Sequence, residues 1–174
     1  MRVIAGKWRG RMLAAPTGLA TRPTSDRTRE ALFSMLASRV GSFEGLEAAD
    51  IFAGSGALGL EALSRGAASC IFVDNDRAAL DAIRANLAAL GADGAEVRPG
   101  AAEHARFPRP LDLVFLDPPY GSGLADKVLP NLLLAPGAFV SVETGRGETV
   151  TARGLTLEAE RTHGKAKITL LRAG

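Results

Sequence analysis

Three short stretches carry the residues with the most chemical potential. The first, Asp50-Ile51-Phe52-Ala53-Gly54-Ser55-Gly56-Ala57-Leu58-Gly59, holds a G-x-G-x-x-G pattern between a predicted strand and a predicted helix. Glycines there permit a tight turn and close approach of a ligand to the backbone, while the start of the helix offers free N–H groups. The second is Val73-Asp74-Asn75-Asp76, where Asp74 follows Gly54 by 20 residues. A carboxylate at that spacing accepts hydrogen bonds from the ribose hydroxyls of a nucleoside cofactor, and Asp76 is placed to cap the following helix. These two features fit a nicotinamide dinucleotide and S-adenosylmethionine equally well.

The third stretch separates them. Leu113-Val114-Phe115-Leu116-Asp117-Pro118-Pro119-Tyr120 puts an acid, two prolines and an aromatic ring at the C-terminal end of an apolar strand, where open α/β sheets bind ligands. Successive prolines fix the backbone and remove two donors, so the Asp117 carboxylate and the Pro118 carbonyl stand as acceptors directed at one point. A planar amino group donates two hydrogens, and accepting both localises its lone pair on nitrogen. The Tyr120 ring supplies a stacking surface for the base that carries the amine. That arrangement suits a reaction at an exocyclic amine of a base, which favours S-adenosylmethionine over a dinucleotide.

Elements able to hold these residues follow from periodicity. Residues 2–5 and 11–14 predict a short hairpin around Gly6-Lys7-Trp8-Arg9-Gly10. Pro23-Thr24-Ser25-Asp26 offers helix-start residues, and Ala31, Leu32, Met35 and Leu36 recur at helical spacing, which predicts an amphipathic helix over 25–40. From Glu47 the chain alternates: strand 48–53, helix 57–66, strand 69–74, helix 76–91, strand 95–98, a short helix near 101–106, strand 111–117, helix 123–134 and strand 138–143. Such alternation is the signature of a parallel sheet. Two apolar runs, 155–161 and 166–172, then form a closing hairpin, which departs from the second nucleotide-binding half of a true dinucleotide fold. The expectation is one α/β domain over residues 1–174, with a basic hairpin and helix over 1–41 and a Rossmann-like cofactor-binding core over 46–174.

Charge is uneven along this plan. The first 40 residues hold 8 Lys/Arg against 2 Asp/Glu, a net of +6, and the remainder holds 13 against 17, a net of −4. An N-terminal arm with Arg2, Lys7, Arg9, Arg11, Arg22, Arg27, Arg29 and Arg39 suits a polyanion. A smaller basic group, Arg161, Lys165, Lys167 and Arg172, lies near the C-terminus. Candidate RNA contacts are Lys7, Trp8, Arg9, Arg11, Arg27 and Arg29; Trp8 has a second reading as the anchor of the hairpin to the core, and Arg27 and Arg29 as partners of a cofactor carboxylate. Cys70 is the only cysteine, so no intramolecular disulfide forms, and with His104 and His163 it makes no metal-ligand cluster. Its apolar strand marks it as core, which disfavours a covalent mechanism. Without a secretory signal or an apolar run long enough for a membrane span, a cytoplasmic protein is expected.

Asp117-Pro118-Pro119-Tyr120 resembles the signature of methyltransferases acting on exocyclic base nitrogens, and Asp50–Gly59 resembles their cofactor loop. Residues 2–11, 23–33 and 58–67 together resemble the bacterial 16S rRNA guanine-N2 methyltransferase family over nearly the whole chain. The resemblance implies a class I methyltransferase fold, a mostly parallel seven-stranded sheet closed by a C-terminal antiparallel hairpin. It implies S-adenosylmethionine bound at Asp50, Phe52, Ala53, Gly54, Ser55, Gly56, Asp74, Asn75, Ala101 and Asp117, and catalysis at Asp117, Pro118, Pro119 and Tyr120. The partner it implies is 16S rRNA, within the small ribosomal subunit or an assembly intermediate, with the enzyme acting as a monomer. A DNA amino-methyltransferase and a non-catalytic RNA-binding protein are the alternatives. One departure stands out: where many relatives carry Asp or Asn for the cofactor's adenine, this chain reads Pro99-Gly100-Ala101-Ala102, leaving that contact to backbone groups near Ala101.

Overall fold

The structure, a computed structural model, describes residues 1–18, 24–151 and 154–174. Arg22 and Pro23, read above as part of the basic arm and of the helix start, lie outside the described residues. Helix α1 (Asp26–Val40) opens on Ser25, whose Oγ accepts from the Thr28 N–H at 3.1 Å, and ends at Gly41, where a φ of 75° stops it. Seven strands follow: β1 (Glu47–Ile51), β2 (Ser69–Asp74), β3 (Ala95–Pro99), β4 (Leu111–Leu116), β5 (Leu134–Gly145), β6 (Leu155–His163) and β7 (Ala166–Ala173). Helices α2 (Ala57–Ser64), α3 (Arg77–Leu90) and α4 (Leu124–Val128) lie between them.

The strand order is β3-β2-β1-β4-β5-β7-β6. β1 through β5 pair in parallel, and β7 pairs antiparallel with both β5 and β6. The chain builds outward from β1 through β2 to β3, then returns to start β4 on the other side of β1. That reversal opens a crevice at the C-terminal ends of β1 and β4.

Alternate residues of the strands feed two apolar layers. Ala48, Phe72, Leu113 and Phe115 face the N-terminal arm, α1, α2 and α3; Ile51, Val73, Val114 and Val142 face α4 and its surroundings. Phe33 of α1 is fully buried and reaches Phe115 with ring centroids 5.5 Å apart. Each such ring contributes about 1.5–3 kcal/mol by leaving water, which is what seats α1 on the sheet. Gly59 sets the distance between α2 and β2, because a Cβ there would stand 2.5 Å from Phe72 Cε1 and 2.7 Å from Cys70 Sγ. Among the described residues, no helix is long and apolar enough to cross a membrane.

Three predicted elements differ. The N-terminal hairpin is shorter than predicted: Val3 pairs with Arg11 and Gly10, and Leu13 with Met1, around one bridge, Arg2 to Met12, while the Ile4, Ala5 and Ala14 N–H groups turn to Glu61 of α2 and Asn86 of α3. The helix predicted over 123–134 is α4 followed by a 3₁₀ turn, Leu129–Asn131, since Pro130 has no N–H to continue the α ladder. Strand β5 starts at Leu134, four residues earlier than predicted, and a register irregularity against Leu111 and Leu113 absorbs Ala135-Pro136-Gly137.

Candidate active site

At the crevice, β1 ends one residue before Phe52, the only non-glycine among the described residues with positive φ (62°). A left-handed phenylalanine is strained, and such strain persists where surrounding structure imposes it, often at functional sites. It turns Ala53-Gly54-Ser55-Gly56 across the strand ends, and Gly56, at φ 80°, starts α2. Asp74 lies beside this loop: its Oδ2 accepts from the Gly54 N–H and its Oδ1 from the Asp76 N–H, both at 2.9 Å. The Asp74 carbonyl accepts from the Gly100 N–H at 3.0 Å, which brings Ala101 to the same edge. Cβ atoms added at Gly54 or Gly100 would meet nothing within 4 Å, so open space faces the loop at both places. A half-buried carboxylate fixed by two backbone donors, next to an open glycine turn, fits the ribose of a nucleoside cofactor.

Asp50 has a different place from the one its motif suggests. It is 1% exposed, and its Oδ2 accepts from the Gly59 N–H at 2.8 Å beneath the loop, so it braces the loop from inside. Burial pushes its carboxyl up from 3.8 to about 7; the Gly59 hydrogen bond offsets part of that, and the Asp74 charge adds to it. Burial likewise pushes the Cys70 thiol well up, as a core cysteine requires.

On the β4 side, the Asp117 N–H donates to the Ile51 carbonyl at 3.3 Å, tying the Asp-Pro-Pro-Tyr turn to β1. Two residues that sequence reasoning missed shape this turn. Glu143 of β5, only 7% exposed, accepts from the Tyr120 hydroxyl at 3.0 Å and from the Thr24 hydroxyl at 3.1 Å. Glu148 accepts from the Gly121 N–H at 2.9 Å and the Gly145 N–H at 2.6 Å, closing the loop behind Tyr120. Pro118 is buried while Pro119 and Tyr120 reach the surface.

The structure therefore brings Asp117, Pro118, Pro119, Tyr120, Phe52, Ala53, Gly54, Ser55, Gly56, Asp74, Asn75 and Ala101 to one sheet edge. The predicted RNA contacts do not all join them. Lys7, Arg9, Arg11 and Arg27 are exposed. Arg29 is fully buried: it pairs with Asp26, donates to the Arg2 carbonyl at 2.9 Å, and lies 3.5 Å from Glu61. It is a structural cation, which removes it from the RNA contacts. Trp8, 8% exposed, belongs to the core, as its second reading held, so it too leaves the RNA set. The turn of the arm is fastened at the far end of α2, where the Lys7 N–H donates to the Ser64 carbonyl at 2.8 Å and the Trp8 N–H to Ser64 Oγ at 3.0 Å. Lys7 and Arg9 thus stand roughly 12 Å, one length of α2, from the cofactor loop. Arg27 is closer to the crevice, three residues from the Thr24 hydroxyl that touches Glu143.

Comparison with known proteins agrees with this geometry. The family model described as "Conserved hypothetical protein 95" matches residues 1–172. The chain is 44% identical over 151 residues to "Ribosomal RNA small subunit methyltransferase D" of Escherichia coli strain K12, covering 83% of this chain and 74% of that one. It is 37% identical over 175 residues to the Haemophilus influenzae protein of the same name, covering 94% and 89%. The solved structure described as "Putative methyltransferase yhhF from Escherichia coli" superposes with a TM-score of 0.86 at 39% identity, over 99% of this chain and 97% of that one. By fold, by the residues at the strand ends and by descent, the chain belongs to the ribosomal RNA small subunit methyltransferase D family.

Proposed function

We propose that this protein transfers a methyl group from S-adenosylmethionine to the exocyclic N2 amine of one guanine in 16S rRNA, acting as a cytoplasmic monomer on the small ribosomal subunit or an assembly intermediate. The observation that carries the reading is the placement of Asp117-Pro118 and of Asp74 on opposite sides of a single crevice, in a member of an rRNA methyltransferase family. S-adenosylmethionine would be held by the Phe52–Gly56 loop, Asp74, Asn75 and the backbone near Ala101, and it supplies an electrophilic methyl group already activated by its sulfonium.

The work left to the chain is placement. Asp117 and Pro118 accept the two amine hydrogens and fix the nitrogen, and holding reactants in this way contributes on the order of 7–11 kcal/mol. The nitrogen becomes strongly acidic only as it is methylated, so its proton leaves afterwards, to Asp117 or to water. Tyr120, held by Glu143 through its hydroxyl, presents its ring to an unstacked base. Lys7, Arg9, Arg11 and Arg27 neutralise phosphates; their spread from the far end of α2 to the crevice suits a folded RNA more than a short strand.

The test is transfer of labelled methyl to small subunits lacking the modification, with digestion to nucleosides. N2-methylguanosine from the wild type, and a rate lowered by about a hundredfold or more in Asp117→Ala, is the expected result. Label in DNA or protein, or an undiminished variant, overturns the assignment.

A further inference from the structure

In the reaction so far described Glu143 serves only to hold Tyr120. Val142 pairs with Leu116 across the β5–β4 ladder, so Glu143 stands next to Asp117 at the strand ends. The Thr24 hydroxyl lies between them, 3.1 Å from Glu143 Oε1 and 3.5 Å from Asp117 Oδ2. Among the described residues, each carboxylate oxygen of Glu143 takes one donor, Thr24 or Tyr120, and a carboxylate oxygen has room for two. An acceptor therefore remains on each, in a nearly buried group directly beside the one that takes the amine.

Taking guanine N2 as the site of methylation, as above, we propose that Glu143 selects guanine by accepting its ring N1–H while Asp117 and Pro118 accept the neighbouring amine. Guanine presents three hydrogens in a row along that edge, one on N1 and two on N2, and so matches a row of acceptors. Adenine and cytosine set their amine beside an unprotonated ring nitrogen, whose lone pair would face the Glu143 carboxylate with no proton between them. A site built to take a hydrogen bond from a substrate N–H rejects an analogue without it strongly, because its own buried group is then left unpaired. The bonds from Tyr120 and Thr24 hold the Glu143 side chain in place, which makes the selection geometric.

The deciding probe is 2-aminopurine, which keeps the amine at C2 but has no hydrogen on N1. Small subunits are reconstituted on 16S rRNA carrying guanine or 2-aminopurine at the nucleotide that the wild type methylates, and kcat/KM is compared. If no guanine is methylated at all, the function proposed above fails; the remaining outcomes bear on Glu143 alone. The wild type is expected to prefer guanine by at least about a hundredfold. Glu143→Gln, whose amide can donate to the bare ring nitrogen, is expected to lower the rate on guanine, raise it on 2-aminopurine and bring the ratio near one. S-adenosylmethionine affinity, measured by calorimetry, checks that the variant is folded. Should that affinity fall, Glu143→Asp, which withdraws the carboxylate by one methylene, decides in its place, with a reduced preference expected. Equal wild-type rates on the two bases, or a preference that the deciding variant leaves unchanged, overturns the proposal.

Discussion

Two carboxylates are buried on the same side of the sheet, one bonded to the first turn of α2 and the other carried on its second, and they are given different company. Glu61, fully buried under the N-terminal arm, accepts from the Ile4 N–H at 2.8 Å, the Ala5 N–H at 3.0 Å and Arg65 Nε at 2.9 Å, with Arg29 at 3.5 Å. Asp50, equally buried under the cofactor loop, accepts from the Gly59 N–H and faces a second acid, Asp74. Burial is common to the two acids; the groups gathered around them are not. The arm side of α2 is sealed by charge pairing, while the loop side keeps a carboxyl that titrates at about 7.

Removing the seal should have the largest effect. Glu61→Ala leaves Arg29 without its main buried counter-charge and strands two backbone donors of the arm, and is expected to cost about 3–5 kcal/mol in a denaturant titration. A loss below about 1 kcal/mol would mean that the arm does not depend on this acid. Asp50 should act through pH. An unfolded chain releases this proton near 3.8, the folded one holds it to about 7, so between those values the folded state binds more protons and stability falls as pH rises. The full swing is about 4 kcal/mol, complete above pH 7. Asp50→Asn, which keeps an oxygen for Gly59, is expected to remove that part of the slope and to gain stability over the wild type at pH 8; parallel profiles would refute the assignment.

Asn86 joins the two regions: its amide accepts from the Ala14 N–H at 2.8 Å and donates to the Ala14 carbonyl at 3.0 Å and the Ser55 carbonyl at 2.9 Å. Asn86→Ala is expected to cost about 1–3 kcal/mol and to weaken S-adenosylmethionine binding in calorimetry, since the loop and the arm lose a shared support. Arg9→Ala, on the exposed turn of the arm, should change stability by less than about 0.5 kcal/mol while reducing the salt dependence of RNA binding.

Much of this was legible in the residues. The alternation of apolar strands and helices gave the parallel core, and the types at its strand ends named the crevice. What escaped was side-chain company across long separations. Glu143 reads as one more polar residue at the end of an apolar strand, and only the β4–β5 register sets it beside Asp117. Phe52 carries no local sign of its left-handed backbone; the turn imposes it. Arg29 is legible in the spacing: it precedes Leu32, Phe33 and Leu36 by three, four and seven residues, so it falls on the buried stripe of α1. Composition argued for a surface arginine, and position argued for an interior one.

The way the arm is fastened has a consequence in time. Ile4, Trp8 and Ala14 bond to Glu61, Ser64 and Asn86, partners 56 to 72 residues further along the chain. At synthesis rates of about 5–20 residues per second, Asn86 is made roughly 4–14 s after Ala14. Until then the most basic part of the protein lacks part of its support, and its full set of bonds forms only after α2 and α3 have been made. The arm, made before the helices that hold it, is thus among the last parts to be secured, and refolding of the isolated protein should show the Trp8 signal settling after the helices have formed.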